Sequence, residues 1–291
     1  MTAIRPRRSV LYMPGSNARA LDKAKTIAAD ALILDLEDAV APDAKDVARD
    51  QVCAAVKAGG YGPREIVVRV NGLDTPWGAA DLKAAVAATP DAVLVPKVSA
   101  PEAFAAIAAA LSGADPKTRT WAMIETPASM LNIGAIAAAS REPKNRLALF
   151  VMGTNDLAKE TRARLVPGRA PMLPWLMQVL AAARAYDLDI LDGVFNDIAN
   201  ADGFRRECEQ GRDLGFDGKT LIHPSQVEPA NEIFAPAVEE VERARKVIAA
   251  FEQPENAGKG AISLDGRMVE RLHADIGRRT VAMADAIAAR G

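Results

Sequence analysis

Short, almost wholly apolar runs alternate with longer alanine-rich stretches of helical periodicity from the N-terminus to about residue 234. The runs fall at residues 9–13, 31–36, 66–70, 92–95, 121–124, 147–152, 188–194 and 220–222. Continuous apolar character marks strands buried on both faces, and strands separated by helices imply repeated β-α units with parallel pairing. Eight such units predict an α/β fold, a closed (β/α)8 TIM barrel rather than an open doubly wound sheet. The intervening segments agree. Pro42, acids at Asp43 and Asp46, and apolar residues at helical spacing predict a helix over 43–52, and Pro101 sits where a first helical turn tolerates it. The barrel is assigned to residues 1–235. The remainder, 236–291, holds a charged helical stretch at 237–251, a polar loop at 253–260 and a last helix. This extension reads as a lid or oligomer contact, too short for a core of its own.

Polar residues gather where the runs stop, which is the catalytic face of such a barrel. Run two ends at Asp35-Leu36-Glu37-Asp38, run three at Arg69-Val70-Asn71 and run four at Pro96-Lys97. Run five stops on Glu125, and run six leads through Gly153-Thr154-Asn155 to Asp156. Runs seven and eight end near Asp192-Gly193 and at His223-Pro224. Glu125 and Asp156 each follow a strongly apolar run, where an unpaired carboxylate suffers desolvation and a cation is its natural partner. Two hard oxygen donors suit Mg²⁺, or Mn²⁺ in its place, with substrate and water filling the other positions. Zinc is disfavoured by the scarcity of histidine and the absence of cysteine beside either acid.

Several members of this ring have plainer readings. Glu37 and Asp38 also read as loop or capping acids, and Arg69 as their structural partner. Lys97 is open between barrel-mouth packing and ligand contact, and His223 reads first as satisfying backbone groups. Trp121 and Met123 are assigned to packing, and His273 to the surface.

Composition narrows the class. The 291 residues are 49% hydrophobic with a formal net charge of -2, which offers no general attraction to nucleic acid or an anionic membrane. Neither a signal peptide nor a run of transmembrane length is expected, so a cytoplasmic location follows. The two cysteines, Cys53 and Cys208, fall in amphipathic stretches and read as reduced, buried thiols. The first run is followed by Pro14-Gly15-Ser16-Asn17, without the glycine-rich fingerprint of a dinucleotide site.

Seven segments in order, Arg8-Ser9-Val10-Leu11-Tyr12-Met13-Pro14-Gly15, Leu34-Asp35-Leu36-Glu37-Asp38-Ala39-Val40, Arg69-Val70-Asn71-Gly72, Pro96-Lys97, Ile124-Glu125-Thr126-Pro127, Gly153-Thr154-Asn155-Asp156-Leu157 and Ile222-His223-Pro224, resemble the citrate lyase β-subunit-like family, which includes malyl-CoA and citramalyl-CoA lyases. The likeness spans about residues 8–275. It implies a barrel that assembles as a homotrimer or homohexamer and breaks or makes a carbon–carbon bond beside a CoA thioester. On that model Glu125 and Asp156 bind Mg²⁺. Arg69 meets an oxygen of the 2-oxo acid or of the thioester enolate, and Asn155 helps hold the acid. Tyr12, Lys23, Ile222 and His223 contact CoA or substrate. Asn17 departs from the family pattern, which has arginine there. The tail segment Asp265-Gly266-Arg267-Met268-Val269-Glu270 resembles the part that covers a neighbouring subunit's site with a catalytic Asp, replaced here by Glu270. Proton transfer then falls to Glu270 or to the Glu37–Asp38 pair.

The expected activity is Mg²⁺-dependent cleavage of malyl-CoA or citramalyl-CoA to acetyl-CoA and glyoxylate or pyruvate. A malyl-CoA thioesterase on the same site is the first alternative. The second is a lyase subunit of a citrate lyase-type complex, or a CoA-binding protein without turnover.

Overall fold

The computed structural model describes residues 4–290. Two compact units are present, one of Arg7–Asn231 and another containing the residues from Glu232 onward. In the first, strands β1 (Ser9–Pro14), β2 (Ala31–Asp35), β3 (Glu65–Arg69), β4 (Ala92–Val95), β5 (Arg119–Ile124), β6 (Leu147–Met152), β7 (Asp189–Asp192) and β8 (Gly218–Leu221) close in sequence order into a barrel. All neighbouring pairs are parallel. Helices α1 (Ala18–Lys23), α2 (Lys45–Ala58), α3 (Gly78–Ala88), α4 (Ala103–Leu111), α5 (Pro127–Ala138), α6 (Thr154–Thr161), α7 (Leu173–Ala185) and α8 (Ala201–Leu214) fall between the strands. This is the (β/α)8 barrel that the alternation predicts.

Strand eight begins two residues before its apolar run, because Lys219 is wholly buried as one member of an ion pair and so escapes a hydrophobic pattern. Helix α4 starts at Ala103, after a turn that contains Pro101.

Side chains two residues apart on a strand share a face. Ile33, Val67, Leu94, Met123, Val151 and Leu191 belong to one buried cluster inside the barrel. Two residues further along the chain stand Asp35, Arg69, Pro96, Glu125, Gly153 and Gly193. The apolar filling therefore ends in a layer of charged and small residues at the C-terminal mouth. At the opposite end Arg7 pairs with Glu65 at 2.6 and 2.9 Å and lies over the Trp121 ring, 5.4 Å from its centroid. In barrels of this kind that face serves stability.

Helix α9 (Val227–Ile233) ends the barrel unit and opens the second one. The second unit then contains α10 (Val238–Glu252), a hairpin of β9 (Ala261–Leu264) and β10 (Arg267–Glu270), and α11 (Arg271–Ala288). Asp265 and Gly266 make the hairpin turn with φ of 51° and 74°, the left-handed pair that a two-residue turn requires. Contrary to the expectation from its length, this unit has a core: Val247, Phe251, Ile262, Val269 and Ala274 are buried together. Gly277 of α11 lies against Ala244 of α10, a close helix approach that compensates for the short chain. Both cysteines are free, Cys208 buried and Cys53 half-buried. Among the described residues no helix is long and apolar enough to cross a membrane.

Candidate active site at the barrel mouth

Asp35 and Arg69 are register partners on β2 and β3. Arg69 Nε and Nη2 donate to the two Asp35 oxygens at 2.6 and 2.7 Å, and its Nη1 donates to Asp38 at 3.2 Å. Glu37 Oε2 stands 2.9 Å from the same Nη1, without the alignment of a hydrogen bond. The Tyr12 ring lies 4.8 Å from the guanidinium. Despite burial, which opposes charge, Asp35, Tyr12 and Glu37 hold the Arg69 pKa well above its ordinary value. The plain reading of Arg69 as a structural partner of the acids is thus correct for at least three of its five N–H groups.

The loop after β2 is held from below. Asp35 accepts from the Glu37 and Ala39 N–H groups at 2.9 and 3.1 Å. The buried Lys45 ammonium donates to the carbonyls of Leu36 and Glu37 at 2.9 and 2.7 Å, and Asn71 Nδ2 donates to Leu36 O at 2.8 Å. Glu37 is left 8% exposed with its carboxylate between Arg69 and Lys97, whose Nζ is 3.6 Å away. Burial, only partly offset by Arg69, raises its pKa to about 7.

Glu125 ends β5 just before a helix start. Thr126 caps α5 by accepting from Ser129 N at 3.1 Å, Ser129 Oγ accepts from Thr126 N at 3.2 Å, and Pro127 takes the first helical position. This stop leaves Glu125 facing the mouth at 1% exposure, accepting from Lys97 N–H at 2.8 Å. Burial, then repulsion from Glu37, pushes its pKa up to about 8. Gly153 sits against it so closely that a Cβ there would collide with the Glu125 carboxylate. Asp156, in the first turn of α6, is half-buried and adds to the negative field on Glu125.

A cleft of about 300 Å³ is lined by Tyr12, Asp35, Asp38, Arg69, Glu125, Asn155, Asp156 and Ile222 together with Met123, Gly153 and neighbouring residues. It brings together most of the residues singled out from the sequence. Tyr12 lines the cleft, and its Oη is buried without a hydrogen-bond partner. Asn155 exchanges hydrogen bonds with Asn196 at 2.8 and 3.1 Å.

Glu37, His223, Lys23 and Asn17 of the barrel unit are not among the residues that line the cleft. His223 caps its own turn, with Nδ1 2.7 Å from Ser225 Oγ and accepting from Ser225 N at 3.2 Å. Lys23 is exposed at the end of α1, and Asn17 caps that helix by accepting from Ala20 N at 3.0 Å. Glu270 opens α11 in the second unit, where its N–H donates to His273 Nδ1 at 2.9 Å. Strand-end reading names Asp35 and Gly153 without giving them a part, and it passes over Lys45 altogether. Only Asp35 had a signal, its place two residues beyond Ile33.

Glu125 and Asp156 both line the cleft and are the candidate ligands for a divalent cation. Among the described residues no three His, Cys, Asp or Glu groups close around one point. Two carboxylates with the remaining positions open to ligand and water match Mg²⁺ better than a metal that demands a full protein cage.

The protein is a closed parallel (β/α)8 barrel with carboxylates and one arginine gathered at its C-terminal mouth, the face where barrel enzymes carry their active sites. The family model described as HpcH/HpaI aldolase/citrate lyase matches residues 8–224, and the chain belongs to that family. It is 52% identical over 284 residues to a (3S)-malyl-CoA thioesterase of Cereibacter sphaeroides, covering 98% of this chain and 96% of the relative. It is 35% identical over 288 residues to the citrate lyase subunit beta of Escherichia coli K12, covering 97% and 94%. Among solved structures, CitE of Mycobacterium tuberculosis in complex with magnesium, acetoacetate and coenzyme A matches with a TM-score of 0.74 at 28% identity, covering 95% of this chain and 97% of that one.

Proposed function

We propose that this chain is a Mg²⁺-dependent enzyme for a malyl-CoA-type β-hydroxyacyl thioester, and that it hydrolyses the thioester to malate and CoA. The site observation that carries the enzymatic reading is the convergence of Glu125, Asp156, Arg69 and Glu37 on one partly enclosed mouth. Hydrolysis is preferred to carbon–carbon cleavage because likeness to the malyl-CoA thioesterases, at 52%, exceeds likeness to the citrate lyase subunits, at 35%, over nearly the same length.

Glu125 and Asp156 would hold the cation, which when bound supplies a Lewis acid for the oxygens of the substrate. Glu37, with a pKa near neutrality, takes a proton from water as its oxygen attacks the thioester carbon. The carbon–sulfur bond breaks, the leaving thiolate takes up the proton that Glu37 received, and malate and CoA leave. Arg69, fixed by Asp35, faces the developing oxyanion with a charge that needs no rearrangement. Tyr12 Oη and Asn155 orient the acyl group. Glu270, if carried over a neighbouring subunit's mouth in a trimer or hexamer, supplies a second acid.

Carbon–carbon cleavage remains the second reading, favoured by the citrate lyase likeness. There the base takes the hydroxyl proton, the bond breaks into a thioester enolate, and protonation of that enolate gives acetyl-CoA beside glyoxylate. Incubation with malyl-CoA and citramalyl-CoA, in Mg²⁺ and in EDTA, separates the outcomes. Metal-dependent release of free CoA with malate supports hydrolysis, and acetyl-CoA with glyoxylate supports the lyase. Turnover of neither substrate overturns both.

A further inference from the structure

Lys97 follows Pro96 at the end of β4 and adopts a left-handed backbone, φ 54°, in a region that non-glycine residues seldom occupy. Such conformations persist where the surroundings over-determine them, and they gather at functional sites. Here the backbone turns its N–H onto Glu125 Oε1 at 2.8 Å. The ammonium of the same residue stands 3.6 Å from Glu37 Oε1, while Arg69 Nη1 lies 2.9 Å from Glu37 Oε2. One residue therefore reaches both carboxylates, Glu125 through its main chain and Glu37 through its side chain. Glu37 is gripped by a cation on each oxygen. An incidental surface ion pair would explain the second contact but not the backbone conformation that makes the first.

We propose that Lys97 is a positioning residue for the reaction: its left-handed backbone sets Glu125 for the cation, and its ammonium, opposite Arg69, fixes Glu37 as the proton acceptor. The inference rests on the hydrolytic or lyase reading of this site. At 42% side-chain exposure the lysine is not needed to fill the barrel.

The test uses the full chain with Lys97→Met, which keeps the N–H and the length without the charge, and with Lys97→Arg and Lys97→Gly. A misplaced catalytic group costs turnover steeply, so kcat with malyl-CoA falls at least about fivefold in Lys97→Met with KM little changed. Mn²⁺ affinity, read by electron paramagnetic resonance, stays equal or tightens, because a positive charge has left an acidic neighbourhood. Lys97→Arg recovers most of the loss, and Lys97→Gly, which adopts positive φ freely, retains Mn²⁺ binding. A smaller fall in kcat, or kcat and Mn²⁺ affinity collapsing together, overturns the proposal. If the wild-type protein turns over neither thioester, the functional reading has failed, and a crystal structure of Lys97→Met decides the positioning role alone. Glu37 displaced from Arg69 with Glu125 in place upholds it, and any other arrangement of the two carboxylates overturns it.

Discussion

Asp35 and Arg69 face each other across β2 and β3 as register partners, joined by two hydrogen bonds of 2.6 and 2.7 Å with both side chains almost wholly buried. Their pairing does two things at once. It neutralises a guanidinium at the top of an apolar barrel, and through the Asp35 contacts to Glu37 N and Ala39 N it fixes the loop that carries the proposed base. Two parallel bonds are a geometry that arginine can make and lysine cannot.

Asp35→Ala is therefore expected to destabilise the fold by about 3–5 kcal/mol, because it strands a buried charge whose other acidic neighbours are more peripheral. Arg69→Lys keeps the charge but loses the fork, and kcat is expected to fall by about 10²-fold, the scale of removing one oriented donor from a reacting oxygen. Urea unfolding of the first variant and kinetics of the second check these values. An Asp35→Ala protein with an unchanged unfolding midpoint would show that the pair does not support the mouth.

Gly153 follows β6 at the level of Glu125, and its missing side chain is the space that the Glu125 carboxylate fills. Its φ of -97° is open to any residue, so Gly153→Ala acts through contact and not through backbone strain. The expected result is a folded protein whose Mg²⁺ affinity is weakened by about tenfold or more, as for loss of an orienting contact to a metal ligand. Calorimetric Mg²⁺ titration gives the value. Unaltered affinity would mean that Glu125 does not hold the ion.

The barrel was legible because eight buried parallel strands leave continuous apolar runs. Of the proposed site, Glu125 and Asp156 were legible because one ends an apolar run and the other stands four residues past the end of the next. Asp35 was harder to single out, since Asp35, Glu37 and Asp38 sit together and only strand alternation separates the inward acid from the loop acids. Lys97 was legible as a strand-end residue but its reach to two carboxylates was not, and Lys45 left no local trace, because a backbone angle and a contact to main-chain carbonyls depend on where distant segments meet. The core of the C-terminal unit was missed for a related reason. Val247, Phe251, Ile262 and Val269 are few and scattered in sequence, and the Asp265-Gly266 turn is what folds them onto one another.

Burial chiefly, and neighbouring acids after it, raise Glu37 to about 7 and Glu125 to about 8, from 4.5. Between those limits the folded chain holds protons that the unfolded chain has released, so stability falls as pH rises through the window. The contribution of these two acids is complete below about pH 4.5 and lost above about pH 8. A divalent cation needs the ionised carboxylate and competes with those protons. Thermal melting in EDTA should therefore show a lower Tm at pH 8 than at pH 6 from these groups, and the Tm gain from Mg²⁺ should be larger at pH 8. A Glu37→Gln/Glu125→Gln variant should flatten the metal-free trend. An equal Mg²⁺ gain at both pH values would count against Glu125 as a ligand.

Glu270 offers the sharpest test of whether the proposed site is completed by another copy of the chain. It lies at the start of α11 in the unit that follows the barrel. If Glu270 acts across subunits, Glu270→Gln and Glu125→Gln homomers should each lose most of their activity, because one lacks the lid acid and the other a cation ligand. Co-expression of the two should restore part of it. In a mixed assembly some mouths combine an intact Glu125 with an intact Glu270 from the adjacent chain. For random pairing about one contact in four is of that kind, so about a quarter of wild-type kcat is expected at saturating substrate, provided mouths act independently. Recovery should depend on forming mixed assemblies, and mixing preformed homomers that do not exchange should recover nothing. Two inactive variants that stay inactive when co-assembled, as verified by mass spectrometry of differently tagged chains, would place Glu270 on its own barrel or outside the reaction.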